Sequence, residues 1–260
     1  MDLPIAKPPW TKTGKYLEKT TRKAIFENDL LEDPNIAIAL SGGKDSLTLL
    51  YLLAAISGRG VNSLKLTAIF VEGEVSCGAN IDKNFLSAIC RSLNIDFISV
   101  SMPKMPDNYD CYICSRIRRK LIFEAAKKRN ISTVAFGHHR DDNIQTLLMN
   151  LFHKGEFAGI LPKLKMFAYG ITIIRPLIYA SEDDIRSFAK YYNFERITCK
   201  CEKGKDSRRK DMENIIRSLE GIYPSVRSNL SLAAKNYGSN KAINKSEKIL
   251  RSITLKKKTP

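Results

Sequence analysis

The chain has 260 residues, with 43 lysines and arginines against 27 aspartates and glutamates, a formal charge of +16 and a mean hydropathy of −0.23. That length can bury a full core and suits one large domain or one domain with an extension. The charge is too basic to be incidental to an enzyme of small neutral metabolites; it points to a polyanionic partner, nucleic acid first, ahead of a membrane surface or a merely solvated basic face. No membrane partner is expected, because the longest apolar stretch, Leu47 to Ile56, is about half of what a bilayer span needs. Lys7, Pro8 and Pro9 break the N-terminus before an apolar signal core can form, so a cytoplasmic location is expected. Six cysteines in that compartment read as metal ligands, redox groups or core residues rather than a disulfide framework.

In chain order, Thr11 to Leu31 carries Tyr16, Leu17, Ala24, Ile25 and Leu30 among charges and reads as one amphipathic helix packed on the domain. Ile36 to Leu40 is a strand-length apolar run, and Leu47 to Leu53 a buried helix. Between them stands Ser41-Gly42-Gly43-Lys44-Asp45-Ser46. Adjacent glycines let the backbone bend and approach an anion, and the helix that starts there aims free N–H groups and its positive dipole end at the same spot. Ser41 and Ser46 add hydroxyls, Lys44 a charge, and Asp45 a ligand for a magnesium ion shared with phosphate. The plain alternative is a strand-to-helix turn whose serines cap the helix.

Further strand-like runs follow at Leu64 to Val71, Asp96 to Ser101, Thr133 to Gly137 and Ile171 to Pro176, with helical spacing at Asn80 to Leu93 and Ser115 to Lys128. That alternation predicts a parallel sheet wrapped by helices, with ligands beyond the C-terminal strand ends. Cys90, in line with Leu86 and Leu93, reads as a small core residue, and Cys77 as a loop bystander. Cys111-Tyr112-Ile113-Cys114 has a chelating spacing, and a helix opening at Ser115 with Arg116, Arg118, Arg119 and Lys120 would keep the thiols deprotonated and hold RNA beside them. Cys199-Lys200-Cys201 offers one or two more ligands; a structural zinc with four thiolates is the alternative to an iron–sulfur cluster. After Gly137 comes His138-His139-Arg140-Asp141-Asp142, whose carboxylates suit helix caps and a magnesium–phosphate site alike. Ser181 to Asp184 starts a helix, two more cover Lys210 to Leu219 and Pro224 to Asn236, and the lysine-rich tail from Ser239 reads as a disordered arm.

Ser-Gly-Gly-x-Asp-Ser after a first strand resembles the PP-loop of ATP pyrophosphatases. Taken in order with Cys111-x-x-Cys114, Gly137 to Asp142, Gly159-Ile160-Leu161-Pro162-Lys163-Leu164 and Ile174-Arg175-Pro176-Leu177, it resembles the tRNA 2-thiocytidine synthetase (TtcA) family from about Leu31 to the helix after Pro224. The resemblance implies an α/β fold, a Rossmann-like PP-loop sheet of the adenine nucleotide alpha-hydrolase type with a helical C-terminal extension. Its divisions would be residues 1–30, an N-terminal helical segment; 31–200, the PP-loop domain; 201–238, the extension; and 239–260, the basic tail. It also implies an ATP-dependent sulfurtransferase that adenylates the C2 carbonyl of an anticodon-loop cytidine, cytidine 32, and replaces the AMP with sulfur.

The cofactors implied are ATP, Mg2+ and a 4Fe-4S cluster; the partners are tRNA and a sulfur donor such as a cysteine desulfurase, with a homodimer left open. Carried residue by residue, Ser41, Gly42, Gly43, Lys44, Asp45, Ser46, His138 and Arg175 bind nucleotide, and Lys44, Asp45, Asp141 and Asp142 serve catalysis, Asp45 on magnesium. Cys111, Cys114 and Cys199 hold the cluster with one iron left for the incoming sulfur, and Arg116, Arg118, Arg119, Lys120 and Lys163 hold tRNA. Cys199-Lys200-Cys201 is one residue shorter than the family's Cys-x-x-Cys, so Cys201 is the lesser candidate. The rivals are a tRNA-isoleucine lysidine synthetase, which needs no cysteines, a thiouridine synthetase, whose flanking zinc-finger cysteines are not found in this sequence, and a non-catalytic nucleotide- or RNA-binding protein with structural zinc.

Overall fold

A computed structural model describes residues 3–73, 81–105, 109–194 and 208–238. Cys77, Cys199, Cys201 and the lysine-rich tail lie outside them. Helix α1 (Lys12–Glu27) precedes strand β1 (Asn35–Leu40), helix α2 (Lys44–Ile56), strand β2 (Lys65–Glu72), helix α3 (Lys83–Ser92) and strand β3 (Asp96–Ser101). Helix α4 (Cys111–Lys128), strand β4 (Thr133–Ala135), helix α5 (Arg140–Lys154), strands β5 (Lys163–Met166) and β6 (Ile171–Ile174), and helices α6 (Glu182–Tyr191), α7 (Arg208–Glu220) and α8 (Val226–Tyr237) follow. The sheet order is β3-β2-β1-β4-β6-β5, parallel except for β5, which pairs antiparallel with β6. No described helix is long and apolar enough to cross a membrane.

The period of two in β1 sorts its side chains by size. Ile36, Ile38 and Leu40 face the larger core with α1, α2, α3 and α6, while Ala37 and Ala39 face a second core with Ile122, Phe123, Ala125 and Ala126 of α4. Small residues on that face let α4 lie close to the sheet. Helix α2 is apolar all round because it is covered twice, by the sheet inside and by α1 and α6 outside; Leu47, Leu49, Leu50, Leu52 and Leu53 are wholly buried. Cys90 is buried in the larger core as its spacing predicts.

Three expectations need correction. Helix α4 starts at Cys111 rather than Ser115, because Asp110 caps it by accepting from the Ile113 N–H at 2.7 Å. Strand β5 was not predicted, since Lys163-Leu164-Lys165-Met166 is a short edge strand with no continuous apolar run. The helix read as Thr11 to Leu31 ends at Glu27, and the chain turns through Asp29 at a φ of +47°.

Helices α7 and α8 pack on α5, Met212 and Ile216 of α7 and Val226 and Leu230 of α8 meeting Ile144 and Leu148. Arg227 ties this layer together, bonding Asp141 Oδ1 at 2.7 Å, Glu213 Oε1 at 2.7 Å and Glu220 Oε1 at 2.8 Å. Burial pushes the Glu213 carboxyl up, but the hydrogen bonds from Arg227, Arg217 and Gln145 outweigh it and hold the group at about 2. Its contribution to stability is therefore present above the unfolded carboxylate value of about 4.3 and is lost as pH falls through about 2. Arg227→Ala removes the nearest cation from the Asp141 carboxylate, whose side chain is 3% exposed and which keeps Arg140 only at 3.6 Å, and is expected to cost about 3 kcal/mol. A urea midpoint equal to that of the wild type would contradict this.

Candidate active site

Strand order reverses between β1 and β4, which lie side by side while their chains continue to opposite edges of the sheet. Such a switch point leaves a crevice beyond the C-terminal strand ends. The turn after β1 is Ser41 to Gly43, and the turn after β4 is Phe136 to His139, so the two motifs face each other. Gly137 makes the approach possible: a Cβ there would stand 3.0 Å from the Asp45 carbonyl carbon and oxygen and 3.1 Å from the Ser46 nitrogen. Because the obstacle is backbone, Gly137→Ala is expected to cost about 2 kcal/mol and to lower turnover together with the melting temperature, read by calorimetry and single-turnover assay.

The first turn is held in place by its own side chains. The Ser46 hydroxyl accepts from the Ser41 N–H at 3.2 Å and donates to the Gly43 carbonyl at 3.0 Å, and the two serine hydroxyls stand 3.1 Å apart. Gly42 has a φ of +79° and packs so closely that a Cβ would lie 2.6 Å from Ile81 Cδ1. The 13-residue α2 starts after Gly43 with no side-chain cap, so its first N–H groups are left to an anion. Lys44 Nζ pairs with Asp45 Oδ1 at 2.9 Å and with Glu182 Oε1 at 3.2 Å. Burial depresses the ammonium, but these two carboxylates more than offset it and the net shift is upward, so Lys44 stays charged.

His139, 5% exposed, sits between carboxylates: Nε2 is 3.4 Å from Asp142 Oδ2 and 3.8 Å from Asp45 Oδ1. Asp142 also accepts from the His139 N–H at 3.1 Å, so it caps α5 while lining the cavity. Burial works against the Asp142 carboxylate, yet His139, His138 and Arg209 hold its pKa below the usual value. Asp141 is placed differently. Its Oδ2 accepts from the Glu182 N–H at 2.8 Å and its Oδ1 from Arg227, so it joins α5, α6 and α8 and does not line the cavity.

Arg175 also lies behind the lining rather than in it. It donates to the Leu161 carbonyl and, through Nε, to His138 Nδ1 at 3.4 Å, which fixes the 159–164 loop to the second turn. Burial first, and the Arg119 guanidinium second, bring Arg175 down to about 10. Burial and the Arg175 charge likewise push His138 down to about 3, so the imidazole is neutral and keeps Nε2 as its donor.

The cavity between the turns measures about 350 Å³ and is lined by Ser41, Asp45, Ser46, His138, Asp142 and Arg209, with Arg118 and Ile122 from α4. That volume lies in the range of small-molecule sites, roughly 300–1,000 Å³. Cys114, Arg118 and Ile122 succeed one another at four-residue spacing on one face of α4, and Cys111 lies one turn before Cys114. Cys114 thus stands about 6 Å along the helix axis from a cavity-lining residue. Cys114 is buried and Cys111 exposed. Two thiolates at the positive end of a helix beside the cavity fit an iron–sulfur cluster whose third ligand comes from elsewhere. Asp45 and Asp142 fit a hard cation by their oxygens. Among the described residues no group of three His, Cys, Asp or Glu forms a complete metal set, so a magnesium ion would take its remaining oxygens from phosphate and water.

Of the residues expected to hold RNA, Arg116, Arg119 and Lys120 are exposed on α4, Arg116 over the Tyr112 ring at 5.6 Å. Lys163 is not presented in this way. Its ammonium is held by Glu32 Oε1 at 2.8 Å and the Asp29 carbonyl at 2.6 Å, fastening β5 to the loop after α1.

The chain matches the PP-loop domain family over residues 15–218. It is 33% identical over 232 residues to the tRNA-cytidine(32) 2-sulfurtransferase of Dechloromonas aromatica, covering 86% of this chain and 81% of the relative. The chain belongs to the tRNA-cytidine(32) 2-sulfurtransferase family. Another member, from Anaeromyxobacter dehalogenans, is 34% identical over 223 residues, covering 83% of this chain and 77% of its own. The fold is shared with the U34-tRNA thiolase NcsA from Methanococcus maripaludis, solved with its 4Fe-4S cluster, at a TM-score of 0.70 and 23% identity, covering 86% of this chain and 78% of that one.

Four site residues of this tRNA-cytidine(32) 2-sulfurtransferase family member escape the sequence reading. His139 is second in a His-His pair whose first member was chosen. Glu182 was read only as a helix-start acid, although it pairs with Lys44. Arg209 lines the cavity at 3.2 Å from Asp142 Oδ1, and Arg227 holds Asp141. Both arginines lie on helices far along the chain, where only the fold brings them back to the second turn.

Proposed function

We propose that the protein is an ATP-dependent tRNA thiolase that converts cytidine 32 of the anticodon loop to 2-thiocytidine. The observation that carries this reading is the meeting, at one switch point, of an uncapped helix end, paired carboxylates and the α4 face bearing Cys114. Family membership supports the substrate. The α2 N-terminus, Ser41, Ser46 and Lys44 bind the phosphates of ATP, and Asp45 and Asp142 would hold magnesium against them. The cytidine C2 oxygen attacks the α-phosphorus, the α–β bond breaks and pyrophosphate leaves. Sulfur then bonds to C2, and the C2–O bond breaks with AMP as leaving group.

His138, neutral and held by Arg175, offers a fixed donor at the cavity wall, and Arg209 a cation for charge that develops there. A 4Fe-4S cluster on Cys111, Cys114 and Cys199 would supply a Lewis-acidic iron for the incoming sulfide, which a donor such as a cysteine desulfurase would provide as a persulfide that a thiol reductant brings to the sulfide level. Residues 31–200 would form the catalytic domain and 201–238 its helical extension.

The test is AMP release from ATP with tRNA transcripts under anaerobic conditions. AMP is expected with cytidine at position 32 and not with uridine there; release independent of that base would remove the assignment. Cys199→Ser is expected to lose the iron and Cys201→Ser to keep it, as measured by metal analysis. The reverse pattern would exchange the two.

A further inference from the structure

We propose that the solvent face of α1, with the groove beside its first half, docks the phosphodiester backbone of the RNA substrate outside the loop that enters the cavity. This rests on the tRNA reading above. At 100° per residue Lys12, Lys15, Tyr16, Lys19, Lys23 and Phe26 fall within an arc of about 100°. All six are exposed, whereas Gly14, Leu17, Thr21, Ala24 and Ile25 on the opposite side are buried. Among the described residues Lys12, Lys15 and Lys19 make no ion pair. Tyr16 and Phe26, 48% and 60% exposed, interrupt the lysines with rings that a merely solvated face does not need and on which unpaired bases can stack.

A groove of about 420 Å³ adjoins the stripe, lined by Trp10, Lys15, Lys19, Arg22 and Arg59. Its one carboxylate, Glu18, is already held by Trp10 Nε1, by Arg22 at 2.8 Å and by Arg59 at 3.7 Å, so the groove presents positive charge. The stripe also lies beside a helix of the site. Trp10 packs on Phe188 near the end of α6 with ring centroids 5.5 Å apart, while Asn28 Nδ2 lies 3.3 Å from the Tyr179 hydroxyl just ahead of α6. Helix α1 thus runs antiparallel to α6, whose start carries the Glu182 that holds Lys44. From Lys12 to Phe26 the stripe runs about 21 Å along this flank, long enough for an RNA whose loop enters the cavity to lay further phosphates against it.

The test is binding of a full-length tRNA transcript, by fluorescence anisotropy over a series of KCl concentrations, to the variant Lys12→Gln/Lys15→Gln/Lys19→Gln/Lys23→Gln. Four lost phosphate contacts at about 0.7–0.9 each should lower the salt slope by about 3 and weaken binding roughly 30-fold at physiological salt. The corresponding four-fold Lys→Arg variant should bind as the wild type does. A four-fold Gln variant that melts normally and keeps both slope and affinity within about twofold would overturn the proposal. So would loss of binding to phosphatidylserine vesicles with tRNA binding intact, which would make the face a membrane contact. A wild-type protein that binds no tRNA at all would instead sink the functional reading itself.

Discussion

Asp45→Ala is expected to lower single-turnover AMP release by about 10²–10³-fold, the scale seen when one preorganised electrostatic group is removed from a transition state. The fold should survive. The Asp45 side chain is 34% exposed, and Lys44 keeps Glu182 at 3.2 Å as its second partner. What is lost is the carboxylate that stands with Asp142 on either side of His139 at the mouth of the uncapped helix. Asp142 alone would then hold magnesium against the phosphates poorly, with only Lys44 and Arg209 left to offset their charge. Calorimetry separates this from unfolding: an unchanged melting temperature with a collapsed rate is the expected pair of results. A rate within about threefold of the wild type would take Asp45 out of the chemistry.

Cys114→Ser is expected to abolish thiolation while leaving adenylation in place. The substitution is close to isosteric on the buried face of α4, so the helix should hold Arg118 and Ile122 against the cavity as before. A serine oxygen does not replace a thiolate on a soft iron site, so iron content after anaerobic reconstitution should fall to background. AMP transfer depends on the two turns at the switch point, and pyrophosphate release in the first turnover should persist. Loss of iron and of sulfur transfer, with pyrophosphate release retained, would separate the two halves of the reaction. Full thiolation by an iron-free variant would show that sulfur reaches C2 by a route that does not need this helix.

The sheet was legible because its inner strands β1, β2 and β4 are buried on both sides and read as apolar runs, and because glycine turns follow β1 and β4. Edge strand β5 carries two lysines in four residues and offers no such run. The start of α4 was missed by four residues because its signal is a single aspartate, Asp110, in front of a cysteine motif that drew the reading to its metal chemistry. Motif residues were found in the right turns, but sequence could not tell the lining from its support. Asp141 and Asp142 are adjacent, yet helical geometry turns one toward Arg227 and the other toward the cavity. Arg175 was chosen as a binding residue and is instead the brace behind His138. Lys163 looked like a cation for RNA until Glu32 and Asp29 were seen beside it.

Mass spectrometry of nucleosides from tRNA treated with the anaerobically reconstituted protein, ATP, magnesium and sulfide tests the central claim most directly. The expected result is 2-thiocytidine mapped to position 32, present only when ATP is supplied. Unmodified cytidine at position 32 with a fully loaded enzyme, or sulfur on a uridine instead, would contradict it.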